Sequence, residues 1–320
     1  MGIKMYEAIY NNKIIKLSQY KDEMKGKIFC KYCNVPITHT TAYIKKIGEC
    51  EVKVPSYFRL INKNIYPHNI NKCKYATENI IKDIYAESSS DKDLMTKDGE
   101  EYIVRLHILI DTMEVEIKQG EKDDSIKKKN RSTLNYIKAG ERPTYITTLR
   151  KIMRLRYEVE EKSEVKKYLK LSFYNNKLQK YDKVLWENFF IEYDKDSYLY
   201  AYQYIKANTI YHPICFCGRV KEICKPTEKF KWYKLKIYSI KIEENKYISL
   251  DILFNNFTLY EELKRFKDKD IIVYGSNAYA TEPRFSKTEE NEKEKMEFNN
   301  INVRIYDSNQ IMCIDNWQAC

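Results

Sequence analysis

Apolar and polar residues alternate with period two along much of this chain, which predicts strands, and the breaks in that rhythm predict where helices interrupt them. Residues 6–10 alternate, Asn11-Asn12 follows, and residues 13–17 alternate again. Asparagine tolerates the positive φ of a tight turn, so this reads as a β-hairpin. Ser18 is placed to cap a short helix running to Lys25. Residues 40–47 and 52–60 are strand-like, and Thr77 can cap a helix over 78–87 that ends in a polar linker, Ser88 to Asp93. Farther on, 102–109 and 113–118 read as strands. Residues 118–131 are dense in charge and include Lys127-Lys128-Lys129. Ile146, Leu149, Ile152, Met153, Leu155 and Val159 fall close to helical spacing, and Arg142, Arg150, Lys151, Arg154 and Arg156 make that helix basic. Strand character returns at 168–174 and 184–193, and residues 198–204 carry tyrosine at every second position.

From Tyr211 onward the rhythm is more regular. Strand-like runs cover 214–223, 232–242, 247–254, 271–279 and 300–305, with a short helix over 259–266 between the third and fourth. Gly218 in the first run and Gly275 in the fourth sit where a small barrel needs bulges or tight coiling. Five strands with one helix between strands three and four resembles the OB-fold, a five-stranded barrel. The expected architecture is therefore α+β and multidomain. It comprises a zinc-knuckle module (1–90), an α+β middle domain (91–210) and an OB-like β-barrel (211–320).

In such a barrel, oligonucleotides lie across strands two and three. A period-two reading of strand two turns Tyr233, Leu235, Ile237 and Ile240 inward, and Trp232, Lys234, Lys236 and Tyr238 outward. Rings that stack on bases, interleaved with ammonium groups that meet phosphates, suit a single-stranded nucleic acid. Arg219 and Lys221 on strand one, and Arg304 and Tyr306 on strand five, extend the face. Arg284, Phe285 and Lys287 could reach in from a long polar loop over 281–298. The competing reading has Trp232 and Tyr238 packing against the middle domain, with the barrel free to serve a protein partner.

Composition agrees with a polyanion partner. Lys and Arg (57) exceed Asp and Glu (46) in 320 residues, a net charge of +11. Such a balance draws a protein to nucleic acid or to an anionic surface, although a solvated lysine-rich exterior accounts for the same number. No apolar run approaches the roughly 20 residues that cross a bilayer, which argues against membrane insertion. Nine cysteines without a signal segment predict a reducing, cytoplasmic setting with thiols free for metal. The wealth of Lys, Ile, Asn and Tyr fits an AT-rich bacterial or mobile-element genome.

The cysteines also carry the most specific signal. Cys30-Lys31-Tyr32-Cys33 brings two thiolates to one point, and His68 and Cys73 supply two further ligands on a second short loop, a set suited to structural zinc. Cys215, Cys217 and Cys224, with His212 nearby, make a poorer set, because the first two share one strand face. For catalysis the one constructible set is Asp111, Glu116 and Lys118, two carboxylates for Mg²⁺ and a lysine to orient water, with Glu78 or Glu87 as a further ligand. Phosphate-cradling glycine loops are absent from a sequence with eight glycines.

The first ninety residues carry one family likeness. The hairpin Ala8-Ile9-Tyr10-Asn11-Asn12-Lys13-Ile14, the knuckle Phe29-Cys30-Lys31-Tyr32-Cys33, then Tyr57-Phe58-Arg59, the His68 and Cys73 pair and Glu78 resemble the zinc-finger region of competence CoiA-like proteins. That resemblance implies DNA processing with a nuclease-like domain behind the finger. The chain departs from the pattern in lacking a well-spaced acidic core and in ending with an OB-like segment. Sequence alone thus points to a zinc-bearing protein that binds single-stranded nucleic acid, with a metal-dependent nuclease or a protein adaptor as alternatives.

Overall fold

A computed structural model describes residues 3–47, 50–62, 64–88, 94–110, 136–138, 143–159, 162–175, 178–288 and 291–314. The architecture is mixed α+β and divides into two compact units. The first comprises Met1–Lys45, Glu51–Val104 and Thr147–Lys170; the second comprises Lys46–Cys50, Arg105–Ile146 and Leu171–Cys320.

In the first unit, β1 (Glu7–Tyr10) and β2 (Lys13–Lys16) pair antiparallel. Asn11 and Asn12 hold φ of 47° and 61°, the positive values their alternation-breaking position predicts. The helix expected from Ser18 to Lys25 is instead two 3₁₀ turns, Leu17–Gln19 and Asp22–Met24. Extended backbone at Tyr20 and Lys21 separates them. The segment between the cysteine knuckle and His68 holds four strands: β3 (Ile37–Thr40), β4 (Tyr43–Ile47), β5 (Cys50–Val54) and β6 (Tyr57–Leu60). β3 pairs with β6, and Met5 exchanges two backbone hydrogen bonds with Phe58 on β6. Met5, Ala8, Ile28, Ile37 and Phe58 are fully buried there. Helix α1 (Thr77–Ser88) turns Thr77, Ile81, Ile84 and Ser88 inward, one stripe at helical spacing. A hairpin of β7 (Met95–Asp98) and β8 (Glu101–Leu106) follows, turning at Gly99, φ 58°.

The chain continues with β9 (Ile108–Ile110) and β10 (Tyr136–Lys138), which belong to the second unit and pair parallel. Helix α2 (Pro143–Glu158) starts there and enters the first unit at Thr147, where its Leu149, Ile152, Met153 and Leu155 are buried. Then come α3 (Lys162–Tyr168) and a hairpin of β11 (Leu169–Asn175) and β12 (Lys180–Val184). The strand expected over 184–193 gives way to α4 (Trp186–Phe189) and the two-residue β13 (Phe190–Ile191). The tyrosine-rich 198–204 run lies in a helix, α5 (Lys195–Ala207), capped by Asp194, whose carboxylate accepts the Ser197 N–H at 2.8 Å. Period two is ambiguous in that run because tyrosines four apart also share a helical face. Tyr198 and Tyr202 are buried, while Tyr200 and Tyr204 stack on the other side.

Five long strands dominate the remainder: β14 (Ile214–Cys224), β15 (Tyr233–Ile237), β17 (Lys246–Phe254), β18 (Asp270–Ala280) and β20 (Asn291–Arg304). Between them lie β16 (Ile240–Glu243), helix α6 (Phe257–Leu263) and β19 (Arg284–Thr288), and β21 (Ile311–Cys313) closes the order. β14 pairs with β15, β15 with β17, β17 with β20, β20 with β18, and β18 again with β14. All these pairings are antiparallel except β17 with β20. The run expected as one strand over 232–242 breaks at Tyr238-Ser239 into β15 and β16. The loop expected over 281–298 is an antiparallel ribbon of β19 on the lengthened β20. Leu235, Ile237, Ile240, Leu250, Ile252, Ile301 and Val303 are buried, as alternation requires. Gly218 and Gly275 permit close approach rather than forming the bulges themselves. The register shifts fall later, between Val220 and Glu222 and between Ser276 and Tyr279. Among the described residues no helix is long and apolar enough to cross a membrane.

Candidate metal centre and outer strand face

Cys30 and Cys33 sit on a turn in which the Asn34 N–H returns to the Cys30 carbonyl at 2.9 Å and Asn34 takes φ 57°. Phe29 anchors that turn by exchanging backbone hydrogen bonds with Ile9 of β1 at 2.8 and 2.9 Å. His68 and Cys73 sit on a second turn, closed by the Cys73 N–H on the Asn69 carbonyl at 2.8 Å. Asn79, one turn into α1, donates its amide to the carbonyls of Ile70 and Cys73 and so fastens this loop to the helix.

The two turns bring four ligand atoms within 4.8 Å of one another. Cys30 Sγ lies 3.6 Å from Cys73 Sγ, and His68 Nδ1 lies 3.3 Å from both Cys33 Sγ and Cys73 Sγ. A tetrahedral ion with metal–sulfur bonds of about 2.3 Å places its ligands roughly 3.5–3.8 Å apart, so the set fits a metal of that size. Cys30, Cys73 and His68 are buried. The electrostatics agree. A hydrogen bond from Cys73 holds the Cys30 thiol well below its ordinary value, and the same bond pushes Cys73 far up. Without a cation the pair favours one thiolate and opposes the second; a divalent ion removes that opposition. Cys30, Cys33, His68 and Cys73 lie together and could hold a metal ion. Around them, Lys31 bonds Glu7 and lies 4.7 Å from the Tyr32 ring, and Tyr32 meets Tyr75 edge-on at 4.9 Å. Asn79 and Tyr75 escaped the sequence reading, although an asparagine in the first turn of the helix after a ligand loop is a recognisable position.

Among the described residues no other set of three or more His, Cys, Asp or Glu converges in this way. Cys215 and Cys217 are buried on β14, and the His212 ring meets Tyr204 and the Pro213 carbonyl. Asp111, Glu116 and Lys118 lie outside the described residues. Glu78 and Glu87, their suggested companions, bond Lys82 and Lys151 respectively.

The second candidate region is the outer face of β15. Trp232 is half-buried beneath Arg304, whose guanidinium lies 4.6 Å from the ring centroid. Lys234 pairs with Asp251 of β17 at 3.1 Å and stands over the Phe230 ring at 4.4 Å. Lys236 pairs with Glu222 of β14 at 2.8 Å; this bond raises the lysine and lowers the carboxyl from their ordinary values. Arg219 pairs with Asp270 at 3.5 Å, and Lys221 is exposed. Tyr238 is half-buried; its N–H donates to the Arg219 carbonyl, and its own carbonyl accepts the Tyr193 hydroxyl. The strand pairings thus gather Trp232, Lys234 and Arg304 on one patch and set Lys236 beside it. Sequence reasoning missed that the patch carries its own carboxylates and amides. Asn300 donates to Asp251 and to Asn302 and accepts the Ser249 hydroxyl at 2.7 Å. Applying period two to β17 and β20, as to β15, would have placed them there.

Comparison with known proteins gives little. No family model matches the chain, and no curated protein matches it. Among solved structures, a "putative aspartyl-tRNA synthetase" from Leishmania major Friedlin is similar over 41% of this chain, at 8% identity and a TM-score of 0.19. This chain spans 21% of that protein, and a likeness at this level carries no argument about fold or function.

Proposed function

We propose that the protein binds single-stranded nucleic acid on the outer face of β15, in a cytoplasmic bacterial or mobile-element DNA transaction. We further propose that β14, β15, β17, β18 and β20 form an OB-like barrel and that zinc occupies the Cys30, Cys33, His68 and Cys73 site. The cyclic pairing order, the parallel β17–β20 pair and the position of α6 support the barrel. Three thiolates and an imidazole support zinc over harder cations. The ion's part is structural: it fastens the knuckle to the loop before α1.

The observation that carries the binding reading is the Trp232 ring beneath Arg304, beside Lys234 and Lys236. An indole offers a stacking surface for any base, and the nearby cations answer the phosphates. The cations differ in availability. Lys236 and Glu222 form an exposed pair, which costs little to exchange for a phosphate. Lys234 and Asp251 are largely buried, so that pair fixes the strand face instead. Trp232→Ala and Tyr238→Ala should each weaken oligonucleotide binding by about 1–3 kcal/mol. Lys236→Ala should flatten the salt dependence without altering base preference. Titration of labelled single-stranded and duplex oligonucleotides, with melting temperatures measured in parallel, tests this. Lower affinity in a folded Trp232→Ala protein supports the reading. Lower stability with unchanged affinity assigns the ring to packing, and absence of affinity in the wild type favours a protein partner.

A further inference from the structure

A second aromatic platform lies at the end of β15 where Trp232 sits. Four rings form a ladder there: Phe254 stacks on Tyr233 (5.7 Å between centroids), Tyr233 meets Tyr260 (5.1 Å), and Tyr260 stacks on Phe257 (6.1 Å). Three of the rings are built into the molecule, but Phe257 is 58% exposed. Two ammonium groups attend the same ladder: Lys264 at 4.8 Å and Lys225 at 5.7 Å from the Tyr260 centroid. Lys264 also bonds both carboxylate oxygens of Glu261 at 2.7 Å, an exposed pair that costs little to exchange for a phosphate. An exposed phenylalanine on a rigid stack, flanked by lysines, does nothing for the core. It matches what a base and its phosphates require.

The strand register places this platform at the same end of β15 as Trp232, although Tyr233 faces the opposite side of the sheet from Trp232. Tyr233, the neighbour of Trp232, pairs with Phe254, and Phe257 follows three residues later at the start of α6. Lys225 begins the loop that leads back from β14 to Phe230 and Trp232, so it stands between the two aromatic surfaces in the chain. We infer that Phe257, with Lys225 and Lys264, forms a second stacking subsite that takes the nucleotides running off the Trp232 end of the β15 face. This rests on the nucleic-acid reading above and extends it. It fixes where the strand leaves the face and makes affinity depend on oligonucleotide length. Charge complementarity favours one occupant: a polyanion bearing planar rings fits an exposed ring whose stack carries Lys225 and, once a phosphate replaces Glu261, Lys264.

The test uses full-length protein and two oligothymidylates of about 4 and about 12 nucleotides, lengths within the span single modules occupy. Phe257→Leu keeps an apolar side chain but removes the ring; Phe257→Tyr restores one. The expected result is that Phe257→Leu weakens the longer oligomer about tenfold, leaves the shorter one unchanged, and is rescued by Phe257→Tyr. Because Phe257 is exposed, melting temperature should hold in both variants. Trp232→Ala should weaken both lengths and so reports separately on the β15 face. Loss with Trp232→Ala but no length-dependent loss with Phe257→Leu overturns the subsite and keeps the face. Wild-type protein that binds neither oligomer overturns both, and equal loss for the two lengths places Phe257 within the face rather than beyond it and overturns the exit path.

Discussion

Removing the metal from Cys30, Cys33, His68 and Cys73 is expected to unfold the N-terminal part of the first unit. The ligands come from two loops whose sulfurs Cys30 and Cys73 are 43 residues apart in sequence, and what lies between is mostly small β-pairs. Two-stranded pairs of four or five residues are marginal by themselves in water. Structural zinc contributes an apparent ~10–16 kcal/mol in small zinc-folded domains at neutral pH, more than such pairs can replace. Without the ion, ionisation of buried Cys30 opposes that of Cys73, so the thiolates no longer draw the two loops to one point. Amide exchange measured before and after chelation should show protection lost from β1 through α1, and Cys30→Ser should reproduce that loss. Elemental analysis should find one zinc per chain. Wild-type protein that is free of metal yet fully protected over those residues would end the proposal.

Gly275→Ala is expected to destabilise the second unit by roughly 3 kcal/mol, the upper end of what overpacking a core costs. A Cβ at Gly275 would lie 2.7 Å from the Val303 Cβ and 2.9 Å from its Cγ2. Both Cβ atoms are fixed to strand backbones, so no rotamer relieves the clash, and β18 must move away from β20. Gly218→Ala meets Ile237 Cγ2 at 2.6 Å and Cγ1 at 3.4 Å and the Tyr198 hydroxyl at 3.1 Å; these are outer side-chain atoms rather than a Cβ held by a strand backbone, so its cost should be smaller. Denaturant midpoints of the two variants check the order. Equal midpoints in wild type and Gly275→Ala would show that the strands are not packed as closely as this geometry requires.

How much of this was readable beforehand follows from the range of each signal. The β1–β2 hairpin was readable because Asn11-Asn12 solves a local steric problem. The metal ligands were readable because a Cys-x-x-Cys turn states its chemistry within four residues. Strands β14, β17 and β18 were placed by alternation, and β15 and β20 in part, since each contributes to a core containing Leu235, Ile252 and Val303. Periodicity failed where two periods coincide. Tyr198 and Tyr202 are two alternate steps apart on a strand and one turn apart on a helix, and only the Asp194 cap distinguishes them. It failed again at 232–242, where the run breaks at Tyr238-Ser239 between two stretches that each pair with β17. The ion pairs that restrain Lys234 and Lys236 were hidden for a similar reason. Asp251 and Glu222 are remote in sequence and meet those lysines only through strand register.

The proposed role of the β15 face is to meet a single-stranded polyanion. Its most direct test is the affinity of the intact protein for one oligothymidylate at about 50 and about 200 mM salt. If Lys221, Lys236 and Arg304 each displace a counterion, three contacts on a single strand give a logarithmic slope near −2, a loss of about sixteenfold across that range. Saturable binding with that slope, lessened by about a third in Lys236→Ala, is the result expected. No measurable binding at the lower salt, or binding indifferent to salt, would contradict the claim.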